Sequence, residues 1–171
     1  MACFHECFSI FLAGTSVKGG RKSSPASYRP VALTSHLMKI FEKILKKEVV
    51  SHLETNKLFN PSQHGFRTGR SCLSQLLEHF YQILECLESG SNVDVVYLDF
   101  AKAFDKVDHQ IALAKLKSLG ITGHVFGFFE AFLCGRTQKV CVNGHFSNPC
   151  HVISGVPQGS VLGPLIFLVM L

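Results

Sequence analysis

The residues best suited to chemistry lie in one short stretch, where an acidic side chain ends an apolar run. Residues 95–98 are apolar or aromatic, Asp99 follows them, and Phe104 stands five positions after the acid. A run of this kind is typical of a buried strand that carries a carboxylate at its end. Because a buried charge needs a partner, a hard divalent cation would suit this carboxylate. We therefore predict a strand over residues 94–100 and a metal-binding role for Asp99.

Each of these residues has a second interpretation. Asp99 can equally be a strand-end acid that caps a neighbouring helix or pairs with a lysine. A turn after the strand would bring the ring of Phe104 back toward the carboxylate, where its shape would admit or exclude the sugar hydroxyl of a metal-bound nucleotide. Phe104 can equally be a core residue, and the residue types alone leave both alternatives open.

A glycine-rich segment, residues 155–159, is the second candidate for a binding site. It reads Gly-Val-Pro-Gln-Gly, and its glycines allow the backbone to approach a flat ligand closely. Gln158 offers a hydrogen-bond donor and an acceptor without a charge. The alternative for this segment is a purely structural loop. Lys18 and Arg29 form a third candidate, because an ammonium and a planar guanidinium both suit phosphate groups.

The composition describes a packed chain with a basic first third. The chain has 171 residues, of which 47% are hydrophobic and 17% charged, so it has the size of one domain or of part of one. The net charge of +5 is uneven, because residues 18–47 carry eight basic side chains against one acid, Glu42. Such a segment favours a polyanionic partner, or it is a solvated, lysine-rich helix face.

The cysteines indicate where the protein resides. The chain has seven cysteines, scattered singly, which is typical of reduced thiols inside a cell. We therefore expect an intracellular protein of the nucleus or cytoplasm, not a secreted one. No uncharged apolar run approaches the roughly 18 residues that a membrane-spanning helix needs, so no membrane is expected as a partner.

Hydrophobic periodicity and capping residues predict four helices and one hairpin. Thr34-Ser35 and Ser71 are suited to cap the first two helices, whose apolar residues recur at helical spacing. Asn143-Gly144 is typical of a hairpin turn, and the phenylalanines of the fourth helix are predicted to lie in the core. The predicted helices cover residues 36–53, 72–88, 109–119 and 123–134, and the hairpin covers residues 138–153.

Five segments, taken in order, resemble one known family. The chain resembles the reverse transcriptase domain of LINE-type, non-LTR retrotransposons. Because five motifs occur in the family's order, the resemblance is more specific than any one motif alone. The segments that carry it are Val17-Lys18 with residues 28–33, residues 39–45, residues 63–67, residues 95–107 and residues 155–164.

The resemblance implies an α+β fold of the right-hand polymerase type, with fingers and an incomplete palm. Residues 17–171 would form the partial reverse transcriptase domain, after an unmatched leader over residues 1–16. The fingers would comprise residues 17–90 and 119–153, and the palm residues 91–118 and 154–171.

The resemblance also implies roles for single residues. Asp99 would be the catalytic ligand of two Mg²⁺ ions, assisted by the backbone carbonyl of Phe100, in DNA synthesis on an RNA template by two-metal transfer to a DNA primer. Phe104 would act as the gate against ribonucleotides among the deoxynucleoside triphosphates. The nucleotide site would comprise Lys18, Arg29, Phe100, Ala103, Phe104, Gln158 and Gly159, and the template path Gln63, Gly65, Phe66 and Arg67.

The sequence departs from the family's pattern in one important respect. The family's aromatic-Ala-Asp-Asp box does not occur in these 171 residues. Two divalent ions repel each other and need several anionic oxygens, whereas Asp99 supplies a single carboxylate. Asp94 would lie about 17 Å from Asp99 along an extended strand, and Asp105 lies beyond the gate residue. We therefore expect a truncated reverse transcriptase that is inactive as this chain alone.

Two other classes of function stay open at this point. The basic segment is compatible with a module that binds nucleic acid without catalysis. The helices are compatible with a protein-interaction module derived from a reverse transcriptase.

Overall fold

A computed structural model describes residues 10–17, 21, 28–142 and 144–171 of the chain. Internal contacts divide the chain into two units. Unit 1 comprises residues 1–58 and 102–171, and unit 2 comprises residues 59–101. Among the described residues, no helix is both long enough and apolar enough to cross a membrane.

A small mixed sheet lies in unit 1. Strand β1 pairs antiparallel with β2, where Val17 faces Tyr28, and parallel with β3, where Ile10 faces Thr137. The strands are β1 (Ile10–Val17), β2 (Tyr28–Ala32), β3 (Thr137–Val142), β4 (His145–Phe146) and β5 (Cys150–His151), and both β4 and β5 pair antiparallel with β3.

The first two helices begin directly after a serine cap. The hydroxyl of Ser35 accepts a hydrogen bond from the amide of Met38, and Ser71 and Ser74 form a reciprocal capping box. All four predicted helices are present with nearly the predicted bounds, and a fifth follows the glycine-rich segment. They are α1 (His36–Thr55), α2 (Cys72–Glu88), α3 (His109–Ser118), α4 (Gly123–Leu133) and α5 (Gly163–Met170), and a short 3-10 helix (Ala103–Lys106) precedes α3.

The core of unit 1 forms where α3, α4 and α5 come together. Phe129 and Phe132 of α4, Leu116 of α3 and Leu165 of α5 are all fully buried. The rings of Phe128 and Phe132 stack at a centroid distance of 6.1 Å. The prediction that the phenylalanines of the fourth helix are core is therefore confirmed for Phe128, Phe129 and Phe132, whereas Phe126 is half-buried.

The predicted strand over residues 94–100 is wrong. These residues adopt no regular structure, and their side chains are exposed, by 78% for Val96 and 90% for Leu98. A strand needs a hydrogen-bonded neighbour, and none of the described strands pairs with this segment.

The apolar face of α2 is also exposed, since none of its residues is buried. The hydrophobic pattern therefore identified the helix correctly but not its packing.

Candidate functional site

The glycine-rich segment docks on the 3-10 helix through its backbone. The amide of Gly155 donates to the carbonyl of Val107 at 2.8 Å, and the amide of Val156 donates to that of Phe104 at 2.9 Å. The hydroxyl of Ser154 donates to the carbonyl of Asp105 at 3.1 Å. Three successive residues are thereby fixed against a segment about fifty positions earlier in the chain. The segment around Phe104 and the glycine-rich segment therefore lie side by side.

Gly155 is the closest point of approach in this docking. Its φ angle is +82°, and a Cβ atom built on it would lie 2.8 Å from the carbonyl oxygen of Asp105. Any side chain at this position would therefore meet both backbone strain and a steric clash. This is the physical reason why the segment needs a glycine here.

The carbonyl of Gly155 is held by two buried cationic or ionisable side chains. Nε2 of His109 donates to it at 2.9 Å, and Nη2 of Arg136 donates to the same oxygen. Burial lowers the pKa of His109, against an opposing effect of the Gly155 bond. Burial also lowers the pKa of Arg136, to about 10, so the guanidinium keeps its charge at neutral pH. The sequence analysis did not single out either residue.

Gln158 connects this segment with the sheet and with the 3-10 helix. Its side-chain Nε2 donates to Oδ1 of Asp105 at 2.6 Å, and its backbone carbonyl accepts from the amide of Ala32 at 2.7 Å. Gly159 follows with a φ angle of +93°, and a Cβ there would lie 3.3 Å from Cγ1 of Val31. The end of β2 and the 3-10 helix are thereby held on one loop.

A buried glutamate of α1 also forms hydrogen bonds with this loop. Oε2 of Glu42 accepts from the amides of Val161 at 2.7 Å and Leu162 at 3.1 Å, immediately before α5 begins. The residue is 0% exposed, and among the described residues its Oε1 has no hydrogen-bond partner. Burial raises the pKa of Glu42, although the two backbone bonds oppose this effect. In the sequence, Glu42 stood out only as one acid among lysines.

A cavity of about 210 Å³ opens at the junction of these elements. It combines an acid, a cation and two amides with a glycine-rich backbone, which is a donor and acceptor set suited to a polar ligand. Its polar lining comprises Asp105, Arg136, Gln138, Ser154 and Gln158.

Four residues of the predicted nucleotide site lie in this part of unit 1. Ala103 and Phe104 belong to the 3-10 helix, and the ring of Phe104 packs on that of Phe167 at a centroid distance of 4.9 Å. Gln158 lines the cavity, and Gly159 follows it. Lys18 lies outside the described residues, and Arg29 is described only as backbone of β2.

The predicted metal ligands lie in unit 2 and are exposed. Asp99 is exposed, and Phe100 is 70% exposed, in the segment that carries no regular structure. Within the described part of the chain, no three histidine, cysteine, aspartate or glutamate side chains converge. The residues present therefore do not fit a centre for two Mg²⁺ ions, which needs several anionic oxygens.

The predicted template residues form a strained loop of unit 2. Phe66 has a φ angle of +61°, which is rare for an aromatic residue, and its side chain is 58% exposed. Arg67 donates to the carbonyl of Asn60 at 3.0 Å, and its guanidinium lies 5.1 Å from the ring centroid of Phe59. Gln63 donates to the carbonyl of Gly65 at 3.3 Å. The four predicted residues therefore share one loop.

This loop is anchored to α2 by a buried histidine that the sequence analysis did not single out. One ring nitrogen of His64 lies 2.8 Å from the hydroxyl of Ser74, and the other lies 2.8 Å from Oε2 of Glu78. Nη1 of Arg70 lies 3.6 Å from the same carboxylate oxygen. The position of His64 beside the glycine of the loop was visible in the sequence, but its partners are ten and fourteen residues away.

Comparison with known proteins assigns the class of this chain. Residues 20–171 match the model of the family described as reverse transcriptase (RNA-dependent DNA polymerase), and the chain belongs to this family. The relatives it matches come from transposable elements, and the predicted resemblance to LINE-type, non-LTR retrotransposons is confirmed.

Three relatives show how far the similarity extends. The probable RNA-directed DNA polymerase from transposon X-element of Drosophila melanogaster is 36% identical over 87% of this chain and 16% of its own length. The RNA-directed DNA polymerase from mobile element jockey of Drosophila funebris is 34% identical over 82% of this chain and 15% of its own length. The retrovirus-related Pol polyprotein from type-1 retrotransposable element R2 of Popillia japonica is 30% identical over 88% of this chain and 21% of its own length. The chain thus spans a small part of these relatives.

We expect Gly155→Ala to destabilise unit 1 more than Gly144→Ala does. Both glycines have a positive φ angle, of +82° and +79°, but only the Cβ at position 155 would meet backbone atoms. Gly144→Ala, the control, should lower the free energy of unfolding by about 1 kcal/mol. In Gly155→Ala, the steric clash should lower it by at least about 1–2 kcal/mol more. Urea unfolding followed by circular dichroism measures both variants. Equal losses would show that the docking of Gly155 is not tight.

We also expect Glu42 to give the protein a pH-dependent stability. Because its pKa is raised above the ordinary value of 4.5, the folded chain holds this proton at pH values where the unfolded chain has lost it. The contribution of Glu42 to the free energy of unfolding should therefore fall as the pH rises from 4.5, by at most about 1.4 kcal/mol per pH unit, whereas the lowered pKa of His109 acts in the opposite direction. Glu42→Gln should remove this fall, since a glutamine oxygen still accepts the two backbone bonds.

Glu48→Gln serves as the matched control for this experiment. Glu48 is exposed on the same helix, so its replacement should leave the slope of stability against pH unchanged. Urea unfolding at several pH values between 4.5 and 8 gives the slopes. If wild type and Glu42→Gln have parallel profiles, the carboxyl of Glu42 is not the group responsible.

Proposed function

We propose that this chain supplies the nucleotide-handling part of a retrotransposon reverse transcriptase. The observation that carries the proposal is the contact between Gln158 and Asp105, which joins the motif around Phe104 and the glycine-rich loop at one polar cavity. In the family, these motifs face the incoming deoxynucleoside triphosphate. The chemistry of the cavity, with Arg136 and two amides, is compatible with such a ligand.

The proposal includes the division into fingers and palm. Residues 17–90 and 119–153 would form the fingers, and residues 91–118 and 154–171 the first parts of the palm. The strained loop with Phe66 and Arg67 would guide the RNA template, and its exposed ring and basic residues suit a single-stranded nucleic acid. The DNA primer would meet Asp99.

The proposal further holds that this chain does not polymerise alone. A two-ion centre needs several anionic oxygens, and Asp99 brings one exposed carboxylate to it. Magnesium would be bound only together with further acids, such as those of the aromatic-Ala-Asp-Asp box, which these 171 residues do not contain. Nucleotide binding and nucleotide transfer are thus separate properties of this chain.

We expect the full chain to bind magnesium-loaded dTTP and yet to extend no primer. Gln158→Ala should weaken dTTP binding by about tenfold, which corresponds to the loss of one well-aligned hydrogen bond. Gln110 is an exposed glutamine of α3, and the control variant Gln110→Ala should leave dTTP binding unchanged. Equilibrium dialysis with labelled dTTP measures binding. Extension of a DNA primer on an RNA template, if it is lost in Asp99→Asn, would contradict the proposed inactivity.

A second candidate function is nucleic-acid binding without catalysis. Lys43 and Lys47 lie one turn apart on α1 and are exposed, as a basic face for a polyanion requires. This role needs neither the metal centre nor the nucleotide cavity.

We expect binding to single-stranded RNA to weaken with salt if this second function applies. The logarithm of the association constant should fall by about 0.7 per neutralised phosphate for each tenfold rise in salt. The double variant Lys43→Ala/Lys47→Ala should make this dependence on salt less steep. Lys117 is an exposed lysine of α3, and the control variant Lys117→Ala should leave the salt dependence unchanged. Fluorescence anisotropy at several salt concentrations measures it, and a slope near zero would exclude this function.

A further inference from the structure

We infer that this chain pairs with a second copy of itself through the apolar face of α2. This inference goes beyond the proposed function and does not depend on it, because the face lies in unit 2 and none of its residues lines the nucleotide cavity. The face consists of five large apolar side chains, each between 53% and 66% exposed. We call it the α2 seam, and its residues are Leu73, Leu77, Phe80, Leu84 and Leu87.

The spacing of the α2 seam is that of a helix which packs on another helix. Its successive members lie four, three, four and three positions apart, so they occupy the alternating d and a positions of the heptad repeat. All of these positions are apolar, and no charged residue interrupts the stripe that they form. Side chains in such a stripe interlock with an equivalent stripe on a neighbouring helix. The α2 seam therefore calls for a partner helix of the same kind.

The contacts that hold α2 within unit 2 lie away from the seam. Ser74 and Glu78 each lie 2.8 Å from a ring nitrogen of His64, and Nε2 of His79 lies 3.1 Å from the hydroxyl of Tyr97. With 3.6 residues per turn, the three helix positions involved are at least about 100° around the axis from the middle of the seam. Within the described part of the chain, these contacts leave the seam uncovered.

The α2 seam has enough area for a stable dimer. Monomeric proteins rarely expose a contiguous apolar patch of more than a few hundred Å². Burying roughly 100 Å² on each seam side chain, and as much on each of the flanking residues Leu76 and Tyr81, removes about 700 Å² per copy. A standard stable interface buries about 800 Å² per partner. A second copy brings an identical stripe, so a twofold pairing covers both seams at once.

The charges at the two ends of α2 favour an antiparallel arrangement of the two copies. The last turn contains Glu85 and Glu88 and no basic residue, which is the unfavourable sign at the negative end of the helix dipole. Arg70 lies just before the helix, whose first turn contains no acidic residue. An antiparallel pair brings the acidic end of each copy beside Arg70 and the positive dipole end of the other copy. A parallel pair would place the acidic ends together.

The experiment measures association of the full chain without nucleotide, by sedimentation equilibrium from about 1 to 200 µM. We expect a monomer–dimer equilibrium with a dissociation constant in the micromolar range. Leu77→Glu should weaken dimerisation by about a hundredfold or more, because it forces two carboxylates into the paired seams. The control Leu98→Glu adds the same charge outside α2, at a side chain that is 90% exposed, and should leave dimerisation unchanged.

The variant Glu88→Lys tests the arrangement of the two helices. In the antiparallel dimer, it places a second cation beside Arg70 of the other copy and should weaken dimerisation by about threefold to tenfold at low salt. In a parallel dimer, the same change exchanges one like-charge pair for another, so the dissociation constant would stay the same. That result would overturn the antiparallel arrangement.

Two results would overturn the inference as a whole. A wild-type chain that stays monomeric at about 200 µM would show that a second copy does not cover the seam. Association that Leu77→Glu and Leu98→Glu reduce equally would show non-specific contact between apolar surfaces. Circular dichroism checks that the variants keep their helices, and the concentration series of the wild type decides even if a variant unfolds. Because dimerisation is measured without nucleotide, its failure leaves the proposed nucleotide binding standing.

Discussion

The structure of unit 1 depends on the need to pair every buried polar group of the loop between Ser154 and Leu162. This loop is irregular, so its amides and carbonyls have no partners within a helix or a strand. Most partners come from other elements: the carbonyls of Phe104 and Val107, the side chains of His109 and Arg136, the amide of Ala32 and the carboxylate of Glu42. The amide of Ser160 instead donates to the carbonyl of Pro157 within the loop, at 3.1 Å. Because an unpaired buried group costs about 1–3 kcal/mol, the elements cannot separate without a large loss.

Two of these partners are ionisable groups that are themselves expensive to bury. Glu42 is fully buried, and Arg136 is 4% exposed. Both form hydrogen bonds with backbone groups: Glu42 accepts from the amides of Val161 and Leu162, and Arg136 donates to the carbonyls of Leu133 and Gly155. Such an arrangement gives specificity of position more than stability, since apolar side chains would pack at lower cost. We interpret both as residues that fix where the loop lies, so that Gln158 reaches the cavity.

The sequence predicted those parts of the fold whose signals are local. The helices followed from Ser35, Ser71 and the spacing of apolar residues, and the need for irregular backbone followed from the glycines at 155 and 159. The partners of Gln158 and Gly155 were not predictable in this way, because Asp105, His109 and Arg136 are between 19 and 53 residues away along the chain. A hydrophobic pattern states which residues favour burial, but it does not state which element covers them.

The difference between a tendency to be buried and actual burial in the structure also explains why the segment before Asp99 was predicted wrongly. The prediction of a metal ligand began from burial, because a carboxylate removed from water must be compensated. In the structure, the segment from Val96 to Leu98 is exposed, so the carboxylate that follows it is accessible to water. An exposed single carboxylate binds a divalent ion weakly, since it must give up its hydration for one contact. The apolar residues before Asp99 therefore decide its chemistry: only a partner that pairs with and covers this segment would turn the carboxylate into a metal ligand.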